Sequence, residues 1–362
     1  MIGRGENIVA KVSDLVGRTP LLELCTAESA SRLLVKLEQF NPTGSAKARM
    51  AEEMVNAAER SGALLPGGRI VEPTSGNTGL GLALIAVERG YRFTAVVDHH
   101  ACKDKLGAIA ALGAELVYVG DPGTTGPSTV RRRAKAAELV AQDPTAYWPD
   151  QHNNPANRAG YRGLARELLA DMFGDVDYLV SAIGTGGSLC GTATELRHLG
   201  SRVRTIGVEP RGSIIFGAEP GKYWQTGSGS PAGFPVGGNV DYAQVDEGVQ
   251  VDDVHAFATA RVLARRTGLM MGGSAGAALY VALKRLGALP AGSTMVTLVC
   301  DAGEKYLDSV FDDEWLRGKG LLDTAVHEEV ERLLASHTGP VPEPRHEEIA
   351  PLAPLDDLVA HP

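Results

Sequence analysis

Lys47 closes the run Asn41-Pro42-Thr43-Gly44-Ser45-Ala46-Lys47, and Pro73-Thr74-Ser75-Gly76-Asn77-Thr78-Gly79 begins 26 residues after it. A primary amine on a loop leading into a helix can form a Schiff base with an aldehyde. Clustered hydroxyls and backbone amides at a helix start can hold a carboxylate. An amine and an anion grip within one short unit point to pyridoxal phosphate chemistry. A further segment, Ser181-Ala182-Ile183-Gly184-Thr185-Gly186-Gly187-Ser188-Leu189-Cys190-Gly191, sets a glycine turn between a strand-like and a helix-like run, where amides and two hydroxyls can surround a phosphate. The same pattern also suits a dinucleotide loop, with Glu209 at the end of the next strand as the ribose acid. That alternative leaves the Lys47 loop, the Thr74 to Gly79 loop and Gly272-Gly273-Ser274-Ala275-Gly276 without a use.

The elements that must position these loops alternate. Arg69-Ile70-Val71-Glu72 precedes a helix expected over about Thr78 to Arg89, and Phe93-Thr94-Ala95-Val96-Val97 precedes another over about Lys103 to Leu112. Strand-like runs recur at Leu116 to Val119, Tyr178 to Ile183, Arg204 to Val208 and Met295 to Val299. This rhythm predicts an α/β protein with mostly parallel sheets covered by helices on both faces. Ligands in such sheets bind beyond the carboxyl ends of strands, so loops after Val71, Ile183 and Val208 are expected to share one cleft. A stretch rich in Asp, Pro and Asn, Asp143 to Asn157, marks a boundary between two lobes. Beyond Thr338 the chain is proline-rich and is expected to be a tail.

With 362 residues the chain is long enough for two lobes and a deep site, and 44 glycines mark many tight turns or close backbone approaches. A net charge of -9 argues against broad nucleic-acid binding. Cys25, Cys102, Cys190 and Cys300 lack metal or disulfide-framework spacing and read as reduced thiols. No metal is expected: Asp98-His99-His100-Ala101-Cys102 has the composition of a cluster, but consecutive residues on an extended strand end face opposite ways. No run of about 20 apolar residues and no secretory leader pattern occurs, so a cytoplasmic protein without membrane partners is expected.

The five motifs, in this order and spacing, resemble the cysteine synthase and cystathionine β-synthase family of fold type II pyridoxal phosphate enzymes. They are Asn41 to Lys47, Pro73 to Gly79, Gln151-His152-Asn153-Asn154-Pro155-Ala156-Asn157, Gly184 to Ser188, and Gly272 to Gly276, and the likeness runs from about Val12 to Leu316. The resemblance implies a two-lobed, tryptophan synthase β-like fold. Residues 1–40 would cross to the C-terminal lobe, 41–150 form the smaller lobe, 151–325 the larger, and 326–362 an extension. It further implies pyridoxal 5'-phosphate as cofactor, Lys47 as its Schiff-base lysine, Asn77 at the ring hydroxyl, Gly184, Thr185, Gly186, Gly187 and Ser188 at the phosphate, and Ser274 at the pyridine nitrogen. Thr74, Ser75, Thr78 and Gln151 would grip the amino-acid carboxylate, and a homodimer is implied. Two departures stand out. Ala48 replaces the usual Asp after the lysine, and Asp301-Ala302-Gly303-Glu304-Lys305-Tyr306 departs twice from the family's Asp-Ser-Gly-x-Arg-Tyr.

The implied reaction is β-replacement on an activated L-serine through an aminoacrylate. The segments Val208 to Gly217 and Tyr306 to Leu316 look similar to the branch that joins phosphoserine and glutamate into N-(2-amino-2-carboxyethyl)-L-glutamate, a diaminopropionate precursor. Sulfide, as in a cysteine synthase, or homocysteine, as in a cystathionine β-synthase, remain alternatives, as does a non-catalytic relative that only binds the cofactor. An acidic acceptor or a phosphate leaving group needs cations, and Arg49, Lys103, Lys105, Arg162, Arg211 and Lys222 are the candidates.

Overall fold

The computed structural model describes residues 8–99, 101–121, 128–172, 174 and 176–337. Two sheets form the frame. The larger contains β1 (Leu21–Thr26), β2 (Arg32–Lys36), β7 (Tyr178–Ala182), β8 (Arg204–Pro210), β9 (Glu247–Val251) and β10 (Thr294–Leu298), in the spatial order β1-β2-β10-β7-β8-β9. The smaller contains β3 (Arg69–Glu72), β4 (Arg92–Asp98), β5 (Glu115–Val119) and β6 (Ala146–Tyr147), in the order β5-β4-β3-β6. Among the described residues, β1 and β2 are the one pair of these strands that runs antiparallel; the other strand pairs are parallel, and two isolated antiparallel bridges, Ser45 with Asp301 and Met271 with Ala302, lie outside the strands. The strands read from the sequence are present within a residue or two. The β1–β2 pair, β6 and β9 were not expected.

Helices link the parallel strands: α1 (Lys47–Ser61), α2 (Asn77–Arg89), α3 (Lys103–Ala111) and α4 (Ser128–Gln142) belong to the small sheet. Around the large sheet run α5 (Pro155–Ala159), α6 (Arg162–Met172), α7 (Gly187–His198), α8 (Asp253–Thr267), α9 (Gly273–Leu286), α10 (Asp313–Lys319) and α11 (Thr324–Ala335). Helix α1 carries buried Met50, Met54, Val55 and Ala58 at helical spacing, and α2 buries nine consecutive residues, Thr78 through Ala86. Together they form one core with Ile70 and Val97 of the small sheet and with Tyr161, Leu179 and Leu189 of the large sheet's side. A second core lies between α8, α9 and the large sheet, around Leu33, Val35, Phe257, Leu279 and Met295. The small residues of α8 and α9 let these helices approach closely: a Cβ on Gly276 would meet the Ala256 carbonyl.

Two of the site loops sit where a strand ends and a helix begins, whereas the Lys47 loop follows a short 3-10 turn, Glu38–Phe40, and Gly272 lies between α8 and α9. Residues 73–76 join β3 to α2, and residues 183–186 join β7 to α7. Gly186 caps α7 with φ 87°, a left-handed conformation natural to glycine. No described helix is long and apolar enough to cross a membrane. Residues 338–362, expected as a tail, lie outside the described residues.

Candidate active site

Between the sheets lies a cleft of about 500 Å³ lined by Lys47, residues 73–78, Lys105, Arg132, Gln151, His152, Gly184 and Thr185. A recess continues from it past Ser45, Lys47, Asn77, Thr185, Gly186 and Ser188 to Ser274, Cys300 and Asp301. Of the expected site residues, Gly187 is the one that lines neither space; a Cβ there would run into the Asn157 side chain. The connection after Val208 does reach the cleft, through its later part, Tyr223, Gln225 to Pro231, Phe234 and Gly237, while its first residues, 209–217, line neither space.

Lys47 is the first residue of α1 and reaches both spaces. Desolvation lowers its pKa from the ordinary lysine value, while Cys300 and Asp301 pull the other way. The Cys300 thiol in the same recess is pushed up to about 12 by burial and stays protonated. Asn77 opens α2 and is held from both sides. Its Nδ2 donates to Asp301 Oδ2 at 2.8 Å, and its Oδ1 accepts from Lys305 Nζ at 2.7 Å. The Tyr306 hydroxyl donates to the same Asp301 oxygen. These contacts give the Asp301 to Tyr306 motif a role in the recess that the sequence did not assign.

The carboxylate loop is organised by its hydroxyls. Thr74 Oγ1 accepts from the Gly79 amide at 3.2 Å, and Thr78 Oγ1 donates to Gln151 Oε1 at 2.7 Å. Gln151 is tied to the phosphate loop by Asn157, whose Nδ2 donates to the Gln151 carbonyl at 2.6 Å and to Thr185 Oγ1 at 3.2 Å. Asn157, at the end of the Gln151 motif, was missed as a site residue. Beneath the loop, Glu72 is fully buried and held neutral: desolvation raises its carboxyl to about 8, against a long hydrogen bond from the Gln151 amide. His152 borders the cleft, and burial, with Arg133 adding, pushes its imidazole down to about 4, so it is neutral at physiological pH.

The recess fits a phosphorylated ring cofactor. The N-terminal turn of α7 presents amides without intrahelical partners beside Ser188 and Thr185, a donor set suited to phosphate. Gly227, with φ 81°, borders both spaces, and a Cβ there would meet nothing within 4 Å, so side-chain-free room faces the ring position. Asp301 Oδ1 is buried with no hydrogen-bond partner in the recess wall. The dinucleotide alternative loses its acid: Glu209 is fully buried and accepts from the Ile215 and Phe216 amides and from Gln250.

Of the six candidate cations, only Lys105 lines the cleft, with its Nζ 3.9 Å above the Tyr306 ring. Arg49 is consumed by structure: it is buried and bonds Glu38 and Glu167 through two nitrogens each way. Arg162 approaches Glu195, Arg211 bonds Asp252, Lys222 stacks on Trp224, and Lys103 is exposed outside the cleft. Arg132 was not among the candidates, yet it lines the cleft with Nε 3.3 Å from Asp98 Oδ2. Ala48, in place of the family's acid, is buried, so a carboxylate there would be desolvated. His99 bonds the Gly120 carbonyl at 3.0 Å and stacks on Tyr118, while His100 lies outside the described residues.

The profile of the Pyridoxal-phosphate dependent enzyme family matches residues 12–301. The chain belongs to that family. It is 50% identical over 316 residues to a putative cysteine synthase of Sinorhizobium fredii, covering 87% of this chain and 94% of that protein. It is 33% identical over 312 residues to an N-(2-amino-2-carboxyethyl)-L-glutamate synthase of Ralstonia nicotianae, covering 85% and 91%. Among solved structures, O-ureido-L-serine synthase superposes with a TM-score of 0.77 at 35% identity, covering 86% of this chain and 99% of that one. The protein is therefore a pyridoxal phosphate-dependent enzyme of fold type II.

Proposed function

We propose that this family member performs β-replacement on O-phospho- or O-acetyl-L-serine with glutamate as the nucleophile, giving N-(2-amino-2-carboxyethyl)-L-glutamate. When bound, the cofactor supplies the electron sink that lets the β-substituent leave. Lys47 would hold the cofactor aldehyde covalently and, once released, take and return the Cα proton; its desolvated amine is neutral in a larger fraction than an ordinary lysine. Such positioned acid-base work is worth roughly 10²- to 10⁴-fold. Gly184 to Ser188 would hold the phosphate, Asn77 the ring hydroxyl and Ser274, buried at the start of α9, the ring nitrogen. A neutral hydroxyl there does not fix a proton on the ring as a carboxylate would, which suits elimination. Thr74, Ser75, Thr78 and Gln151 would grip the donor carboxylate.

The observation that carries the acceptor is the presence of two cations on the cleft wall, Lys105 and Arg132, the latter with its Nε 3.3 Å from Asp98, which lines the same cleft. A dicarboxylate acceptor needs such cations; sulfide needs none. The relative named for glutamate synthesis supports this reading, and the relative named as a putative cysteine synthase supports sulfide as the second. Retention of Lys47, Asn77 and Ser274 around one recess disfavours a purely binding relative. The test is mass analysis of products from each donor serine with glutamate, sulfide or homocysteine. A glutamate adduct at rates above the other two supports the proposal, and cysteine or cystathionine as the sole product overturns it.

A further inference from the structure

The segment after β10 is zipped onto the lysine loop. Ala46 N donates to the Cys300 carbonyl at 2.8 Å and Ala302 N to the Gly44 carbonyl at 3.1 Å, with Ser45 opposite Asp301. From this segment the Lys305 ammonium donates to the Thr43 carbonyl at 2.7 Å, the Gly44 carbonyl at 3.0 Å and Asn77 Oδ1 at 2.7 Å. An ammonium has three donors, so all are used. They join the loop that ends in Lys47 to the first residue of α2. Gly44, at φ 64°, leaves room for this: a Cβ there would stand 3.3 Å from both Cε and Nζ of Lys305. With Oδ1 on a cation and one N–H on the Asp301 carboxylate, the Asn77 amide has a single orientation, and its second N–H remains for a cofactor oxygen.

We propose that Lys305 is a positioning residue for the cofactor, whose ammonium braces the Lys47 loop against Asn77 so that the grip on the cofactor tightens when this amine is charged. The proposal rests on the reading of Lys47 and Asn77 as cofactor holders. Burial brings the Lys305 amine down to about 8, against the opposing pull of Asp301. The other charges that act on it are Glu304 on its own segment and Lys105 of α3, which lies over the Tyr306 ring. Tyr306 is raised well above the ordinary tyrosine value by burial and is neutral throughout, and Asn77 and the loop carbonyls carry no charge. The amine is therefore charged below about pH 8 and neutral above it, so the brace weakens as pH rises through that value. Arginine at this place, as in the family motif, would stay charged over the whole range.

The experiment follows cofactor release from the holoenzyme by visible absorbance between about pH 6.5 and pH 9.5, for wild type, Lys305→Arg and Lys305→Met. Schiff-base hydrolysis has its own pH dependence, so the reading is the ratio of each protein to Lys305→Arg. The expected wild-type ratio rises about tenfold across pH 8, because a neutral amine holds the loop carbonyls and Asn77 less strongly than an ammonium does. Lys305→Met is expected to release fast at every pH, with a flat ratio. A purely structural lysine would leave the wild-type ratio flat, and that result overturns the proposal even if Lys305→Met does not fold. Borohydride reduction of the holoenzyme and peptide mass mapping separate the two readings. A label on Lys47 with a flat ratio sinks the brace alone, whereas a label elsewhere sinks the site reading and the brace with it.

Discussion

The phosphate loop and the carboxylate loop both lie between a strand and a helix, yet they differ in the room around them. At the first, a Cβ on Gly186 would drive into the Asn239 carbonyl, and one on Gly187 into the Asn157 side chain, with the Tyr161 ring 3.0 Å away. At the second, a Cβ on Gly76 at the loop's tip would meet nothing within 4 Å, although one on Gly79, already inside α2, would meet Ile109, and the loop is shaped by the Gly79 amide donating to Thr74 Oγ1 and by Thr78 Oγ1 donating to Gln151. In the proposed roles, one loop holds a group that stays and the other a group that comes and goes at every turnover. Tight backbone packing suits the former, and open space with adjustable hydroxyls suits the latter.

Between the loops stands Lys47, whose removal has the largest expected effect. Lys47→Ala should lower turnover by at least about 10³-fold, measured by product formation under saturating donor. Next comes the comparison itself. Gly186→Ala should weaken cofactor retention on the order of a hundredfold, while Gly76→Ala leaves it within about twofold, both read by absorbance after dialysis. Equal losses would erase the distinction. A finer cut is Thr78→Val, which removes the donor to Gln151 and should raise the KM for the donor serine about tenfold while cofactor content is unchanged. The smallest effect concerns the support of the open loop. Glu72 binds its proton up to about pH 8 in the folded protein, whereas an unfolded glutamate releases it near 4.5. A raised acid makes stability fall between those values as pH rises, so Glu72→Gln should lift the melting temperature by a few degrees at pH 8 and by little at pH 4.5. A lift independent of pH would show that Glu72 is charged in place.

The parallel strands and the loops they aim were legible because each apolar run is bounded by glycine and followed by a helical pattern, as at Arg69 to Glu72 and Tyr178 to Ala182. The β1–β2 pair was not, since Arg32 to Lys36 ends in a lysine that reads as surface. In the fold Lys36 is fully buried because Glu167, Asp171 and the Thr19 carbonyl surround its amine. Arg49 misled for a like reason: its partners Glu38 and Glu167 lie 11 and 118 residues away, outside any helical spacing, so the pairing leaves no local signal. Arg132, hidden among three consecutive arginines of α4, differs from its neighbours only by which one faces the cleft. Helical periodicity narrows that choice without making it. Asn157 and Lys305 stood in recognised motifs, and it was their partners that only the fold could supply.

The placement of β10 between β2 and β7 has a consequence for how the molecule comes into being. The small sheet closes within residues 69–147, so its pairings can be completed early in synthesis. The large sheet cannot: β2 waits for a neighbour more than 250 positions downstream, Arg32 pairing with Thr294. Until that strand emerges, β2 has an unsatisfied edge and the lysine loop lacks the 300–305 segment that fastens it. Such distant pairings fold slowly and leave sticky edges exposed. Cofactor capture is thereby deferred to the end of assembly, and a nascent chain cut short before β10 would be a client for chaperones rather than a partial enzyme.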